Sequence, residues 1–219
     1  MQIRPRCGDF ATSVAHAELV LGAIIARDDM TRARDLWEAS LQRFRKDDED
    51  HLALIATRHL AWAYENLGDR QRCLALNEEN LRRARALGNE RIEGVTLGVL
   101  ASLGIEEGRI DEAVELLKES HRLHVGAADP LQSSLDVFRF AAAVAATGKA
   151  ETATRIFSAA DALANDLGLN LNSWDTPYIE FVTLMIRDRI DERSFEKAWA
   201  QGRTLNADEA VALALESLG

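Results

Sequence analysis

The residues of this chain that could do chemistry are a few histidines and several adjacent carboxylates. His121 and His124 lie three positions apart, so on a helix they would share one face and could hold a metal ion. Two imidazoles without a third ligand nearby make a weak metal site, and His51 and His59 are too far apart to share one turn. We therefore expect His121 and His124 to be solvated or half-buried, with no metal and no cofactor.

Carboxylate pairs occur at Glu78-Glu79 and Glu106-Glu107, and a longer acidic run occupies 47–50. General acid–base chemistry needs carboxyl groups that face one another in a cleft with shifted pKa values. Adjacent residues of one helix point in different directions, so we expect these side chains on a solvated surface. The run at 47–50 is expected to cap and charge the N-terminus of the helix that follows it.

Motifs for nucleophilic, metal-dependent or phosphate chemistry are missing from the sequence. It contains no G-x-S-x-G, no H-E-x-x-H and no phosphate-binding loop, since Gly148-Lys149 lacks both the earlier glycine and the following Ser or Thr. Cys7 and Cys73 are too few for a disulfide framework or a four-ligand zinc site. The sequence therefore predicts a protein that is not an enzyme.

The amino-acid composition argues against further classes of protein. The 219 residues include 36 Asp and Glu against 26 Lys and Arg, a net charge of −10 that argues against a nucleic-acid surface. The longest uninterrupted apolar run, 140–146, is far shorter than the roughly 20 residues of a spanning helix. The N-terminus faintly resembles a signal peptide, but Asp9, His16 and Glu18 interrupt its apolar part. We expect a cytoplasmic protein without a membrane or direct nucleic-acid partner.

The glycines are regularly spaced. Five lie at steps of twenty or forty residues, and Gly126 lies near the missing member: Gly68, Gly88, Gly108, Gly148 and Gly168. Glycine commonly follows a helix C-terminus because it accepts positive φ. The spacing predicts a helix end about every twenty residues and a helix pair every forty, with turn positions at 28, 68, 108 and 148.

Residue size follows the same period. The residues five after each turn position are small: Ala33, Cys73, Ala113 and Ala153. The residues eight before are apolar, and those seven before are small apart from Leu21: Val20, Leu60, Leu100 and Phe140, then Leu21, Ala61, Ala101 and Ala141. Small and large residues at fixed heights are what close helix packing requires.

These patterns predict an all-α chain with eight repeat helices and a tail of three. The expected helices lie near 12–26, 30–46, 50–67, 69–87, 91–107, 110–125, 130–147, 149–167, 176–189, 191–202 and 206–217. Asp129-Pro130 and Thr176-Pro177 each read as an N-cap followed by a first-turn proline. The expected fold is a right-handed α-solenoid of about four helix pairs over 1–170, with 171–219 as a helical cap on the last repeat.

The repeats resemble the tetratricopeptide pattern, although their forty-residue period exceeds the usual thirty-four. The likeness is carried by 60–64, then Gly68-Asp69 and Cys73, and again by Leu100-Ala101 with 108–113. The stretches 148–163, 195–203 and 206–211 resemble the C-terminal part of bacterial regulators that combine a predicted ATPase with a tetratricopeptide-like arm, many with a LuxR-type helix-turn-helix. The resemblance implies that this chain is such an arm, as a fragment or as a free-standing relative.

In stacked helix pairs the first helix of each pair forms the concave face. The predicted partner-binding residues of this groove are Arg58, Trp62, Glu65, Asn66, Ser102, Glu106 and Phe138. An aromatic residue beside an arginine is typical of interface hot spots. The alternative is that Trp62 packs on a neighbouring repeat, because tryptophan is usually mostly buried.

Three hypotheses for function remain open at this point. The first is a regulatory interaction module that binds a protein or peptide in the groove, or the ATPase domain of its own polypeptide. The second is a sensor that binds a small-molecule effector in the same groove. The third, an enzyme or an RNA-binding repeat, is opposed by the missing motifs and the acidic charge.

Overall fold

The computed structural model describes the backbone of residues 7–168 and 176–219 and the side chains of 13–168 and 178–219. These ranges contain eleven helices and no strand. The helices are α1 Cys7–Ile25, α2 Met30–Lys46, α3 Asp50–Asn66, α4 Arg70–Ala86, α5 Glu90–Glu106, α6 Ile110–Gly126, α7 Pro130–Ala146, α8 Ala150–Asp166, α9 Thr176–Arg187, α10 Glu192–Gly202 and α11 Ala207–Leu218. The all-α prediction is confirmed, and the largest boundary error is at α1, which begins at Cys7 rather than near residue 12.

The turns between helices recur every twenty residues. All five glycines of the series have positive φ, between 63° and 85°. The two remaining members are Asp48, with φ 56°, and Ala128, with φ 51°. Gly126 is therefore not a turn residue, as its nearness to the series had suggested, but the last residue of α6.

Five of these turns, at positions 48, 68, 88, 108 and 128, close with the same backbone hydrogen bond. The N–H one residue past the positive-φ position donates to a carbonyl five residues earlier, as in Asp69 to Tyr64 at 2.8 Å and Asp129 to His124 at 3.0 Å. The bond satisfies a carbonyl that the end of the helix would otherwise leave unpaired. The repeated turn geometry fixes where each helix ends and the next begins.

The acidic run at 47–50 does not cap α3 in the predicted way. Glu49 occupies the N-cap position without a side-chain hydrogen bond, and Asp48 is the turn residue. Asp50 instead forms an ion pair with Arg83 at 2.5 Å. At α7, by contrast, the prediction is confirmed, because the Asp129 side chain accepts from the Gln132 N–H and Pro130 stands in the first turn.

The predicted packing positions are buried in the repeats after the first helix. The four small residues five after the turn are at most 1 % exposed, and the positions seven and eight before it are buried in α3, α5 and α7. The prediction is wrong for α1, where Val20 is 57 % and Leu21 41 % exposed. This helix turns another face inward, and its Gly22 lies so close to the Trp37 indole that a Cβ there would be 2.5 Å from Nε1.

The chain forms two compact units, Met1–Thr96 and Leu97–Gly219, which divide within α5. In the first unit α1 packs on α2, α2 on α3 and α3 on α4. In the second, α6 packs on α7 and α7 on α8, while α10 and α11 cover α8 and α11 also contacts α7. The predicted boundary near residue 170 lies outside the described residues and stays a prediction.

Among the described residues, no helix is both long and apolar enough to cross a membrane.

Candidate functional site

Four of the predicted groove residues share the solvent-facing side of α3. This helix buries one side, including Ala53, Leu60 and Ala61, against its neighbours, because its apolar residues recur at helical spacing. The opposite side carries Arg58, Trp62, Glu65 and Asn66, of which the first three are half-buried and Asn66 is exposed. The Asn66 amide donates to the Trp62 carbonyl oxygen at 2.9 Å. We call these four residues the α3 face.

Trp62 packs against a neighbouring helix and keeps part of its ring at the surface. Its ring centroid lies 5.9 Å from that of Trp37 on α2, with the planes tilted by 52°. Trp37 is fully buried and donates from Nε1 to the Leu19 carbonyl oxygen at 3.1 Å. Its ring also stacks on His59, at 5.1 Å between centroids. Trp62 is therefore fixed by a rigid aromatic support rather than lying loose on the surface.

Arg58 and His59 lie on α3 about one turn before Trp62, and the positive charge of Arg58 affects the pKa of His59. Burial, and secondly the positive charge of Arg58, lower the pKa of His59 to about 4. The imidazole is therefore neutral at pH 7, and its Nε2 lies 3.4 Å from an Nη of Arg58. Burial, together with the charge of Arg91, also lowers the pKa of Arg58. The Arg58 Nε is shielded from solvent and has no hydrogen-bond partner in the described residues.

The remaining predicted groove residues belong to the second unit, and two of the three are buried. Ser102 is 8 % exposed, and its hydroxyl donates to the Gly98 carbonyl oxygen within α5. Phe138 is 3 % exposed, with its ring 5.1 Å from Phe157 and 5.7 Å from Tyr178. Glu106 is exposed at the end of α5. Placing Ser102 and Phe138 on an open groove was therefore wrong, because one bonds its own helix and the other fills an aromatic core.

Sequence reasoning missed a buried polar cluster between α6 and α7. His124 Nδ1 lies 2.6 Å from Asp136 Oδ2, and the Ser120 hydroxyl donates to Asp136 Oδ1 at 2.9 Å. Arg139 donates to the same Oδ1 at 3.0 Å. Ser120, His124 and Asp136 are each 0 % exposed. Gly98 leaves room for this arrangement, since a Cβ there would lie 2.6 Å from an Arg139 Nη.

The composition of this cluster resembles a catalytic triad, but its geometry does not. A triad places serine at one imidazole nitrogen and the carboxylate at the other. Here Ser120 and Asp136 both approach the Nδ1 side of His124, at 3.5 Å and 2.6 Å. His124 Nε2 is buried without a partner among the described residues. The cluster can join two helices, but it offers no nucleophile to a substrate.

The histidine pair does not form a metal centre. His121 is half-buried with its ring edge-on to Phe140, whereas His124 is fully buried beside Asp136. Burial lowers the pKa of His121, against a smaller opposing effect of Asp136. Within the described residues no group of three or more His, Cys, Asp or Glu side chains is arranged to hold a metal ion. The buried cluster around Asp136 could have been suspected from the sequence only through two polar pairs, Ser120/His124 and Asp136/Arg139. Each pair is spaced so that both residues share one face of a helix, and that face is otherwise apolar.

The fold and this site define a class: an all-helical protein of successively packed helices, with a polar and aromatic face exposed on one of them. The chain matches no family model and no curated protein sequence.

Proposed function

We propose that this chain is a non-enzymatic interaction module that binds a protein or peptide through the α3 face. The observation that carries the proposal is Trp62, which is half-buried, held by Trp37 and flanked one turn away by Arg58 and Asn66. Tryptophan and arginine dominate interface energetics because they combine apolar area with directed hydrogen bonds. A rigid support lowers the entropy lost when a partner binds.

We further propose that the helices form a right-handed solenoid of about four tetratricopeptide-like pairs. The twenty-residue recurrence of the positive-φ turns and the packing of successive helices support this architecture. In such arrays the first helices of the pairs line a concave surface, and α3 is one of them. The α3 face then belongs to the groove.

The repeats resemble the tetratricopeptide pattern, and the C-terminal segment resembles that of bacterial ATPase regulators. Both resemblances support a more specific role. We propose that the chain is the sensor arm of a bacterial ATPase or LuxR-type transcription regulator in the cytoplasm. The partner in the groove is then another signalling protein or the ATPase domain of the same polypeptide. The role of the arm is to bind, and the buried, misoriented Ser120–His124–Asp136 cluster supports a function without catalysis.

The test is partner binding by matched surface variants. The double variant Trp62→Ala/Asn66→Ala removes the centre of the α3 face, and Glu115→Ala/Lys118→Ala removes an exposed ion pair on α6. Proteins retained from the native cell extract are identified, purified and titrated against each variant. We expect the first variant to weaken binding at least about tenfold and the second to leave it unchanged. Equal affinities for all three chains would overturn the proposal.

A small-molecule effector is the second candidate, favoured by a cavity of about 440 Å³ that lies on the other side of α3 from the α3 face and thus outside the predicted groove. Its walls include Leu41, Leu60, Tyr64 and Leu76, and an Arg45–Glu79 ion pair of 2.7 Å lies at its edge. A metabolite that binds there would raise the melting temperature of the native chain. The same metabolite would fail to stabilise a Leu76→Trp variant, in which the cavity is filled.

A further inference from the structure

Arg58 is half-buried and has no carboxylate partner among the described residues. Nearby arginines are paired with acidic side chains at 2.5–3.0 Å: Arg43 with Glu18, Arg45 with Glu79, Arg83 with Asp50 and Arg85 with Glu93. The hydrogen-bond contact of Arg58 is with the neutral His59 ring at 3.4 Å. The chain has 36 acidic residues, yet none lies within ion-pair distance of Arg58 in the described part of the unit.

An unpaired guanidinium in this position is costly. Its Nε is shielded from solvent and unbonded, and desolvating a charge without a counter-charge costs free energy. Arg91 of α5 adds a second positive charge close enough to lower the pKa of Arg58. A protein with a net charge of −10 thus keeps a local positive site beside Trp62. Such a site favours an anion supplied from outside the chain.

The neighbouring side chains indicate what carries the anion. Arg58, Trp62 and Asn66 follow one another by four residues, so they extend along about 12 Å of the helix axis. That length matches three to four residues of an extended peptide, at about 3.3 Å each, and exceeds a small organic acid. Guanidinium groups pair with carboxylates through two parallel hydrogen bonds, and the indole offers an apolar surface next to them.

We propose that Arg58 binds the carboxylate of an acidic residue in a partner peptide, with an adjacent apolar side chain resting on Trp62. This inference rests on the proposed binding function and names the chemistry of its partner. The acidic protein as a whole repels other acidic segments, but screening limits that repulsion to about 8 Å at physiological salt. Recognition therefore depends on the local positive charge of Arg58.

The first test needs no ligand. Arg58→Met keeps much of the side-chain volume and removes the unpaired charge, so we expect the melting temperature to rise by about 2–4 °C. Arg83→Met is the matched control, because it leaves Asp50 without its ion-pair partner, and its melting temperature should not rise. If Arg58→Met lowers the melting temperature or leaves it unchanged, the Arg58 charge is not a cost to the folded chain and the proposal falls.

The second test titrates the full chain with three probes while the Nε–H signal of Arg58 and the indole signal of Trp62 are followed by NMR. The probes are an eight-residue peptide with the centre Leu-Glu-Phe, the same peptide with Gln for Glu, and glutarate. We expect saturable shifts with the acidic peptide, and binding at least about tenfold weaker for the Gln peptide, for glutarate and for an Arg58→Gln variant. Absent shifts, equal binding of the Glu and Gln peptides, or glutarate binding as tightly as the peptide would each overturn the proposal.

Failure of this inference can be told from failure of the proposed function. A partner that is lost on Trp62→Ala but bound equally by native and Arg58→Gln chains overturns the carboxylate site and leaves the function standing. Partner binding unchanged by both substitutions overturns the function itself.

Discussion

His59 makes the stability of the first unit depend on pH. Its pKa is about 4 in the folded chain and near 6.5 when unfolded, so the unfolded state binds the extra proton first as the pH falls. Stability should therefore fall between pH 6.5 and 4, by at most about 1.4 kcal/mol per pH unit for this one group. Urea unfolding at pH 7, 6 and 5 should show a steeper loss for the native chain than for His59→Gln. His121→Gln is the control, because the pKa of His121 is also lowered. Parallel curves for the native chain and His59→Gln would contradict the assignment of this pH dependence to His59.

Asp136 is the centre of the buried cluster in the second unit. Asp136→Ala leaves Arg139 without its counter-charge and removes the acceptor for Ser120 and His124, so we expect a loss of about 3–5 kcal/mol in the free energy of unfolding. Ser120→Ala removes one hydrogen bond and should cost only about 1 kcal/mol. Urea titration of both variants measures the difference. Similar small losses for the two would mean that Asp136 is not the shared acceptor.

For single residues, the sequence predicted which side chains share a helix face better than it predicted their contacts with other helices. Trp62 and Arg58 were placed together because both lie on α3 and four residues apart is one turn. The pairing of His124 with Asp136 depends on how α6 and α7 rotate against each other, which no local pattern specifies. Ser102 and Phe138 were misplaced for the same reason, because their exposure is decided by neighbouring helices.

Ala128 stands at a turn position that is occupied by glycine in most other turns of the series. Its φ of 51° is a conformation that a Cβ disfavours, whereas the glycines of the series adopt it freely. Ala128→Gly should therefore stabilise the chain by about 0.5–1 kcal/mol. Ala127→Gly is the matched control, since Ala127 has φ −83° and gains nothing from glycine. Thermal unfolding measures both, and a loss of stability for Ala128→Gly would show that this turn is not strained.

Gly202 of α10 lies directly against the backbone of α8 at Arg155. A Cβ at this position would overlap the carbonyl oxygen of Arg155, a backbone atom that cannot rotate away. Gly202→Ala should therefore cost about 1–3 kcal/mol or more. Gly126 also ends its helix but has nothing within 4 Å, so Gly126→Ala should be neutral or stabilising by up to about 1 kcal/mol. Calorimetry of the two variants tests the packing of the C-terminal helices on α8.

The helix boundaries were predictable because most turn positions carry glycine and several helices begin at an Asp or Asn cap. Two features escaped prediction for physical reasons. Asp48 and Ala128 take positive φ without glycine, because the hydrogen bonds of the turn compensate a small strain. The rotation of α1 depends on the fit of Gly22 to Trp37, a contact that the repeat pattern does not contain.

For the molecule as a whole, the proposed binding function depends on which helix face is not covered by neighbouring helices. The sequence predicted one groove with residues from several repeats. In the structure its α3 members are exposed or half-buried, whereas Ser102 and Phe138 are buried. The apolar stripe of α3 packs against neighbouring helices, so the side chains outside this stripe face the surface. The proposed partner site therefore centres on α3 in the first unit.

Site-specific photo-crosslinking shows whether a partner binds at the α3 face. A photoreactive amino acid is placed at position 66, on the α3 face, and in a second chain at position 115, on the exposed side of α6. We expect a partner to crosslink efficiently from position 66, unlabelled native chain to compete, and Trp62→Ala to abolish the crosslink. Crosslinking from position 115 with little or none from position 66, or a position-66 crosslink unaffected by Trp62→Ala, would contradict binding at the α3 face.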